Sequence, residues 1–338
     1  MIIAGSPVLG CKNIWGEGEK MAENTRNRRV AIACQGGGTH TAFTAGVLKR
    51  ILQQPEPHFD IVALSGTSGG AISALLTWYG LLLGSKDIAV ELLDSFWRDN
   101  SATSLWDIYL NNNLVWLSRL NSIFPLPEIS PYTYPDWGQQ RLKQLLEKHV
   151  KFEKIKELVN GSSPLFLVEA VNVLSGQFTI FRNAEVTVEA ILASAAIPTL
   201  FRSVRIGQGL FWDGLFSQNP PIRELPDVKP DEIWIVQINP STSKNEPKSI
   251  EAIRDRRDEL SGNLSLEQEI YFIEKINELL KNDLLANGKY QHIEVKRIRM
   301  LWDLDYSSKI DRNPGFIQEL IAYGETEAEA FLRNGSNK

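Results

Sequence analysis

The sequence has few cysteines, no long apolar run and no excess of positive charge. Its 338 residues include only two cysteines, Cys11 and Cys34, which excludes a disulfide framework and fits a reducing compartment. No stretch approaches the roughly 20 apolar residues that a membrane-spanning helix needs. The formal net charge of -5 predicts no basic surface for nucleic acid. We therefore expect a cytoplasmic protein without a transmembrane segment, and peripheral contact with a membrane stays an open alternative.

The chain also lacks internal repeats and low-complexity linkers. Residues 1–28 are polar and predict a flexible lead-in, within which Met21 is an alternative start. Residues 29–335 predict one domain, with a cap insertion at about 100–138 and a helical C-terminal extension at about 250–335. The apolar content of 43% is ordinary for a globular protein.

Buried strands alternate with helices in the first part of the domain. Arg29–Cys34 is a continuous apolar run typical of a buried parallel strand, and Ile61–Leu64 is a second one. Helical spacing of apolar residues predicts helices over Thr41–Gln53 and Gly70–Leu83. This βαβα order predicts an α/β fold with a mostly parallel sheet. Further strands are predicted at Leu165–Asn172, Gln177–Phe181, Val204–Ile206, Gly209–Trp212, Glu232–Ile238 and His292–Met300, and further helices at Asp87–Trp97, Gln139–His149, Val188–Ala196, Ile250–Leu285 and Gly315–Leu332.

An aromatic-rich stretch interrupts this pattern between Trp106 and Trp137. It combines tryptophan, tyrosine, asparagine and proline with little periodicity, which predicts an irregular cap. Such rings suit an acyl-binding site or a lipid interface, where one side is apolar and the other is wet. The alternative is that they fill a second core beneath an irregular loop.

A serine lies between glycines where the second strand meets its helix. Gly66-Thr67-Ser68-Gly69-Gly70 satisfies the G-x-S-x-G pattern in the strand–turn–helix context of a nucleophile elbow. The glycines let strand and helix approach closely, and the helix N-terminus favours developing negative charge. The pattern indicates Ser68 as a nucleophile, with a plain turn and a capping serine as the alternative.

Three successive glycines follow the first strand. Gly36, Gly37 and Gly38 precede a helix, so their backbone N–H groups predict an anion-binding nest. The stretch lacks the lysine of a P-loop and the spacing of a dinucleotide-binding loop. An oxyanion hole beside a serine nucleophile therefore explains the glycines better than a nucleotide site does.

A serine nucleophile needs a base, and the four histidines are poorly placed for that role. His292 comes late in the chain, as in the α/β hydrolases, but no glycine turn presents it. Asp213 follows three large apolar residues and precedes Gly214. Partial burial would raise the pKa of Asp213 and strengthen its pull on a hydroxyl proton. Asp213 is the better candidate, and a simple Asp-Gly turn is the alternative.

Taken together, these motifs resemble the patatin-like phospholipases. The resemblance covers about residues 29–240 and rests on four blocks, Gly36–Gly38, Gly66–Gly70, Ala193–Phe201, and Asp213-Gly214 followed by Asn219-Pro220. The family folds as a three-layer α/β/α sandwich and contains serine acyl hydrolases with a Ser–Asp dyad and no catalytic histidine. The resemblance implies Ser68 as nucleophile, Asp213 as base, and the N–H groups of Gly36, Gly37 and Gly38 as the oxyanion hole.

One position departs from the family pattern. After its glycines the family usually has a basic residue and then a glycine, where this chain has His40 and Thr41. A histidine is charged only below about pH 6.5 unless its pKa is shifted. His40 is therefore a candidate modulator of the oxyanion site through its charge, and a neutral, packed imidazole is the alternative.

The predicted activity is hydrolysis of lipid carboxylic esters, of phospholipase A or lysophospholipase type, through an acyl-enzyme. The dyad needs no metal and no organic cofactor, and no calcium-loop spacing is present in the sequence. The predicted partner is a lipid at a membrane surface or micelle. An esterase, thioesterase or acyltransferase with the same residues stays open, as do a catalytically idle module that binds an anion or a partner, and the oligomeric state.

Overall fold

A computed structural model of the chain describes residues 26–55, 57–121, 127, 129–285 and 288–336. Most of the predicted lead-in, including Cys11 and Met21, lies outside the described residues. Within them, the strands are β1 (Arg28–Cys34), β2 (Phe59–Gly66), β3 (Leu165–Asn172), β4 (Phe178–Arg182), β5 (Val204–Ile206), β6 (Gly209–Asp213), β7 (Glu232–Gln237) and β8 (Glu294–Arg299). The α-helices are α1 (Ala42–Leu52), α2 (Ser68–Leu82), α3 (Lys86–Asn100), α4 (Leu105–Asn121), α5 (Trp137–His149), α6 (Phe152–Leu158), α7 (Val188–Ser194), α8 (Ile250–Lys281) and α9 (Pro314–Ser336).

The eight strands of the described residues form one mixed sheet in the order β5-β6-β3-β2-β1-β7-β8, with β4 also paired to β3. Strands β3, β2, β1, β7 and β8 are parallel to one another. Strands β4, β5 and β6 form antiparallel pairs at one side of the sheet. The mostly parallel α/β sheet predicted from the sequence is therefore confirmed.

Both faces of the central strand β1 are covered. Val30 and Ile32 lie in a core shared with α1, α2, α3 and α9, whereas Ala31 and Ala33 lie in a second core shared with α8. A strand buried on both faces has no reason to alternate polar and apolar residues. This burial accounts for the continuous apolar run in the sequence, and it gives the three layers of the sandwich.

The prediction of an irregular cap holds only in part, because Leu105–Asn121 forms the 17-residue helix α4. Its buried residues are only Asn111 and Val115, and most of its large apolar side chains are exposed, unlike those of an ordinary surface helix. Asn111 is buried and hydrogen-bonds Asp311 and the N–H of Arg312, while Trp106 is 69% exposed. A periodicity argument looks for an apolar buried face, so it does not detect this helix. The short helix α6 was also not predicted.

Candidate active site

Strand register brings Ser68 and Asp213 to one place. Gly66 at the end of β2 pairs with Val168 of β3. Two residues further along β3, Ala170 pairs with Asp213, the last residue of the antiparallel strand β6. Ser68 follows Gly66 by the same two residues. The end of β6 therefore returns to the carboxyl edge of β2, where the nucleophile elbow lies.

Ser68 has a strained backbone at the start of α2. Its φ is +54°, a left-handed value that non-glycine residues rarely adopt outside functional sites. The Ser68 N–H donates to the Ser194 hydroxyl oxygen at 3.0 Å. Gly70 permits the close approach, because a Cβ there would lie 2.4 Å from the Cys34 carbonyl oxygen. This is the geometry of a nucleophile elbow, and Ser194 comes from the Ala193–Phe201 block.

The Asp213 carboxyl group is fully buried. Its Oδ1 accepts a hydrogen bond from the Leu215 N–H at 2.9 Å. Burial raises the pKa of Asp213 to about 7, opposed by its interactions with the Ser68 hydroxyl and the Leu215 N–H. Oδ2 has no partner of ordinary hydrogen-bond geometry among the described residues, so the contact with Ser68 is looser than a formed hydrogen bond. Catalytic hydrogen bonds commonly tighten only when substrate binds.

A second buried carboxyl group, Glu169 of β3, lies beside Asp213. Its Oε1 accepts from the Ser217 hydroxyl, and its Oε2 has no partner among the described residues. Burial, and secondarily the charge of Asp213, raises the pKa of Glu169 well above its ordinary value. Gly214 is required here, because a Cβ would lie 1.8 Å from Glu169 Oε2. We did not predict Glu169, although a charged residue inside a buried strand was a usable signal.

The glycine loop lies directly against the nucleophile. A Cβ at Gly36 would be 2.8 Å from Ser68 Cβ. The Gly36 N–H already donates to Asn219 Oδ1 at 2.6 Å, whereas the N–H groups of Gly37 and Gly38 have no hydrogen-bond partner among the described residues. Among the described residues, two of the three glycines of this loop, Gly37 and Gly38, therefore have N–H groups without a partner.

Buried amides hold this loop in place. Gln35, fully buried, accepts from the N–H groups of Ile238 and Asn239 at 2.9 and 2.8 Å. Its amide nitrogen donates to the Asn219 carbonyl at 3.1 Å and to Asn263 at 3.0 Å. These partners lie on three segments of the chain, all far from Gln35 in sequence, which is why the sequence did not reveal them.

The His40 side chain is buried, and its surroundings disfavour a charged imidazole. Its Nε2 lies 2.7 Å from the Ser308 hydroxyl, and its ring packs edge-on against Phe316. Burial lowers the pKa of His40 to about 3, with a smaller contribution from the nearby Lys309 ammonium. The imidazole is neutral near pH 7, which favours the packed alternative over the charged one.

The other histidines lie elsewhere. His149 at the end of α5 contacts Asp99 at 2.9 Å and the Ser95 hydroxyl at 3.3 Å. His292 is exposed in the segment before β8. In the described part of the chain, no group of three or more His, Cys, Asp or Glu side chains is placed to hold a metal ion, and no helix is long and apolar enough to cross a membrane.

Comparison with known protein families gives one match. A model of the family described as patatin-like phospholipase matches residues 32–226, which include the glycine loop, Ser68 and Asp213. No curated protein sequence matches the chain.

Three solved structures are similar over parts of their length. VipD from Legionella pneumophila is 11% identical, with a TM-score of 0.43, over 91% of this chain and 67% of VipD. Human group IVD cytosolic phospholipase A2, solved with methyl gamma-linolenyl fluorophosphonate, is 19% identical, with a TM-score of 0.29, over 47% of this chain and 23% of that one. The ExoU–SpcU complex of the Pseudomonas aeruginosa type III secretion system is 14% identical, with a TM-score of 0.30, over 90% of this chain and 52% of that one.

The chain thus spans only about a quarter to a half of the last two structures and about two thirds of the first. The family model, by contrast, covers more than half of the chain and contains the predicted motifs in order. The chain belongs to the patatin-like phospholipase family, whose members are lipid acyl hydrolases acting on carboxylic esters.

Proposed function

We propose that this chain hydrolyses the carboxylic esters of phospholipids or lysophospholipids with Ser68 as nucleophile and Asp213 as base. The observation that carries the proposal is the interaction of a serine at a left-handed φ with a buried carboxylate whose Oδ2 has no other partner among the described residues. A serine hydroxyl is a weak nucleophile until a neighbouring base takes its proton. Asp213 is placed to take that proton.

The reaction has two halves that use the same pair. Ser68 Oγ bonds to the ester carbonyl carbon while its proton passes to Asp213. The carbon–oxygen bond to the alcohol then breaks, and Asp213 returns the proton to the leaving alcohol, which gives an acyl-enzyme. Water next attacks the acyl carbon and its proton passes to Asp213. The bond to Ser68 Oγ then breaks and Asp213 returns that proton to the oxygen, which releases the fatty acid and restores the serine hydroxyl and the carboxylate.

The N–H groups of Gly37 and Gly38 are the proposed donors to the oxyanion. Both are without partners among the described residues, and the loop touches Ser68. Gly36 has a different role in the proposal, because its N–H is used by Asn219 and so fixes the loop. Donors held in place before the reaction stabilise the tetrahedral intermediate without reorganising.

The aromatic face of α4, defined by Trp106, Tyr109 and Trp116, is the proposed contact with the lipid surface. The three rings stand at spacings of three and seven residues, so they lie on one side of the helix. They are 57–69% exposed, and the ring of Trp106 stacks on that of Tyr109 with their centres 5.6 Å apart. Exposed aromatic rings of this kind suit the boundary between water and acyl chains.

A labelling experiment combined with a substrate panel tests the activity. A fluorophosphonate should label wild-type protein at Ser68 and leave Ser68→Ala unlabelled. Ser73→Ala is the matched control, because Ser73 is a buried serine on the same helix and its hydroxyl has no partner among the described residues. Release of fatty acid from phosphatidylcholine and lysophosphatidylcholine supports the proposal. Labelling with turnover of short-chain esters or acyl thioesters alone would replace it with an esterase or thioesterase, and absence of labelling would contradict the dyad.

A further inference from the structure

A cavity of about 600 Å³ lies on the α8 side of the sheet. Its lining comes from Phe178 of β4, the segment 217–229, the part of α8 between Ser265 and Asn277, and residues 289–293. Neither Ser68 nor Asp213 lines it, so it is separate from the reaction site. Its volume falls in the range of roughly 300–1,000 Å³ that is usual for small-molecule sites.

The walls of this cavity are mainly apolar. Ile273 and Ile293 form its buried part, and Ile276 is half-buried beside them. Phe178 and Phe272 belong to its outer part, where they are 40% and 67% exposed. Large exposed rings around an apolar hollow are typical of a site that binds an apolar ligand.

Three cations, Arg223, Lys229 and Lys289, line the same cavity and are exposed, which places them at its mouth. None of them forms an ion pair among the described residues. The Arg223 guanidinium lies 5.7 Å from the Phe178 ring centre, and the Lys289 ammonium lies 5.5 Å from the Tyr290 ring centre.

These three cations share the lack of an ion pair with other exposed cations of the described chain, such as Lys151, and differ from them in lying around one apolar cavity. The protein has a net charge of -5, and many of its other lysines and arginines contact carboxylates. The one carboxylate in the lining, Glu269, already accepts from the Gln218 amide and the Ile222 N–H. The mouth of the cavity therefore carries three exposed cations, of which Arg223 also interacts with the charge of nearby Glu224, and Lys229 donates to the Gly288 carbonyl at 3.4 Å.

We propose that this cavity binds a single-chain fatty carboxylate, with the acyl chain along Ile273, Ile276 and Ile293 and the carboxylate at the three cations. An apolar hollow with a cationic mouth complements a molecule that is aliphatic at one end and anionic at the other. The polar side chains of the lining also include Ser265, Gln268 and Asn277, and the isoleucines leave one wall without hydrogen-bonding groups, which suits an acyl chain better than a sugar or nucleotide.

The cavity is connected to the reaction site through its lining. The Ser217 hydroxyl donates a hydrogen bond to the Glu169 carboxylate. The Gln218 backbone carbonyl accepts a hydrogen bond from the Thr67 hydroxyl at 2.7 Å. A ligand in the cavity thus contacts the turn that follows Asp213. If the proposed function holds, the ligand is of the same chemical class as the fatty acid that the dyad releases. Only this relation between ligand and product rests on the proposed function; the binding of a fatty carboxylate does not.

Binding is tested on the Ser68→Ala protein, so that turnover plays no part. The fluorescent fatty acid cis-parinaric acid, added below its micellar concentration at pH 8, should give saturable binding that palmitate displaces and hexadecanol displaces less well. The triple variant Arg223→Gln, Lys229→Gln and Lys289→Gln should weaken binding about tenfold or more, which is about 1.4 kcal/mol, because the carboxylate loses its charge-assisted contacts. The charge-matched control replaces three exposed lysines of the α6 region, Lys151, Lys154 and Lys156, with glutamine and should bind as the parent does.

Two results would overturn the proposal: no saturable binding, or equal affinity in the two triple variants. Mass spectrometry of fatty acid retained after incubation with phosphatidylcholine vesicles identifies the source of the ligand. Fatty acid retained by the wild type alone is a product of the protein's own hydrolysis. Fatty acid retained by Ser68→Ala as well comes from free fatty acid in the vesicles. Retention by neither protein contradicts the site. Failure of fluorophosphonate labelling counts against the proposed activity and leaves this binding result unaffected.

Discussion

The dyad region and the aromatic face of α4 are built in opposite ways. Around Ser68 and Asp213, polar groups are buried and apolar contact comes from the surrounding core. On α4, the apolar rings are outside and the polar Asn111 is inside. In the proposed function, the first region fixes the position of the reacting atoms, and the second offers exposed apolar area to a lipid surface. Substitutions in the first should therefore act on chemistry, and substitutions in the second on access to lipid.

The largest effect is expected from the two reacting groups. Ser68→Ala and Asp213→Asn should each lower the hydrolysis rate by several orders of magnitude, because nucleophile and base act as one unit. Initial rates on lysophosphatidylcholine measure this, and far-ultraviolet circular dichroism checks the fold. Near-normal turnover by Asp213→Asn would show that another residue acts as the base. His292→Ala would then be the next variant to assay.

The next effect is expected from the loop that borders the nucleophile. Gly38 has a φ of +59°, and a Cβ there would lie 2.3 Å from the Lys309 carbonyl oxygen. Gly38→Ala should therefore lower the free energy of unfolding by about 1–3 kcal/mol and displace the loop. Chemical denaturation and rates on a short-chain ester test both. Gly176→Ala is the control, because Gly176 also has a positive φ but open space around it. Equal rate losses in the two variants would show that the loop position does not matter.

A smaller effect, seen only with substrates in a lipid surface, is expected from the aromatic face of α4. The double variant Trp106→Ala and Trp116→Ala should lose about tenfold in activity on phosphatidylcholine vesicles and little on a soluble ester, because interfacial burial of the rings is lost. Tryptophan emission of the wild type should shift to the blue with vesicles. Tyr271→Ala is the control, since this ring on α8 is as exposed as Trp116. Equal losses on both substrates would mean that the rings support the fold instead.

The smallest effect is expected at His40, and it concerns the pH profile. Asp213 must be ionised to act as base, and its pKa is raised to about 7, so activity should rise as the pH increases through about 7. His40 has a pKa lowered to about 3 and is neutral over that range. Activity between pH 5 and 9, measured for wild type and His40→Gln, should show the same rise in both. A falling alkaline limb that His40→Gln removes would restore the charge role of His40.

Prediction from the sequence succeeded where the determinants are local. Apolar runs, glycine turns and helical spacing lie within a few residues of one another, and the strands and helices that they predicted are present, including the exact bounds of β3 and β5. The aromatic stretch failed the same approach because α4 buries asparagine and exposes tryptophan. A prediction that assumes that apolar residues are buried does not recognise such a helix and assigns the stretch as irregular.

In the candidate site, the residue types were predictable and their hydrogen bonds were not. Nothing local to Gly36 indicates that Asn219, 183 positions later, takes its N–H. Likewise, Glu169 acquires its position beside Asp213 only through the pairing of β3 with β6. Contacts of this kind depend on topology, which a single sequence does not state.

The antiparallel hairpin of β5 and β6 gives the two halves of the dyad unequal protection against local opening. Ser68 follows β2, which has a parallel neighbour on each side. Asp213 ends β6, which pairs with β3 through only the three residues Ala170–Asn172 and is followed only by β5 at the edge of the sheet. Sheet edges fray at lower free-energy cost than centres. Heating should therefore separate base from nucleophile before the core melts, so that this enzyme loses turnover at a temperature where most of its backbone amides are still protected from hydrogen exchange.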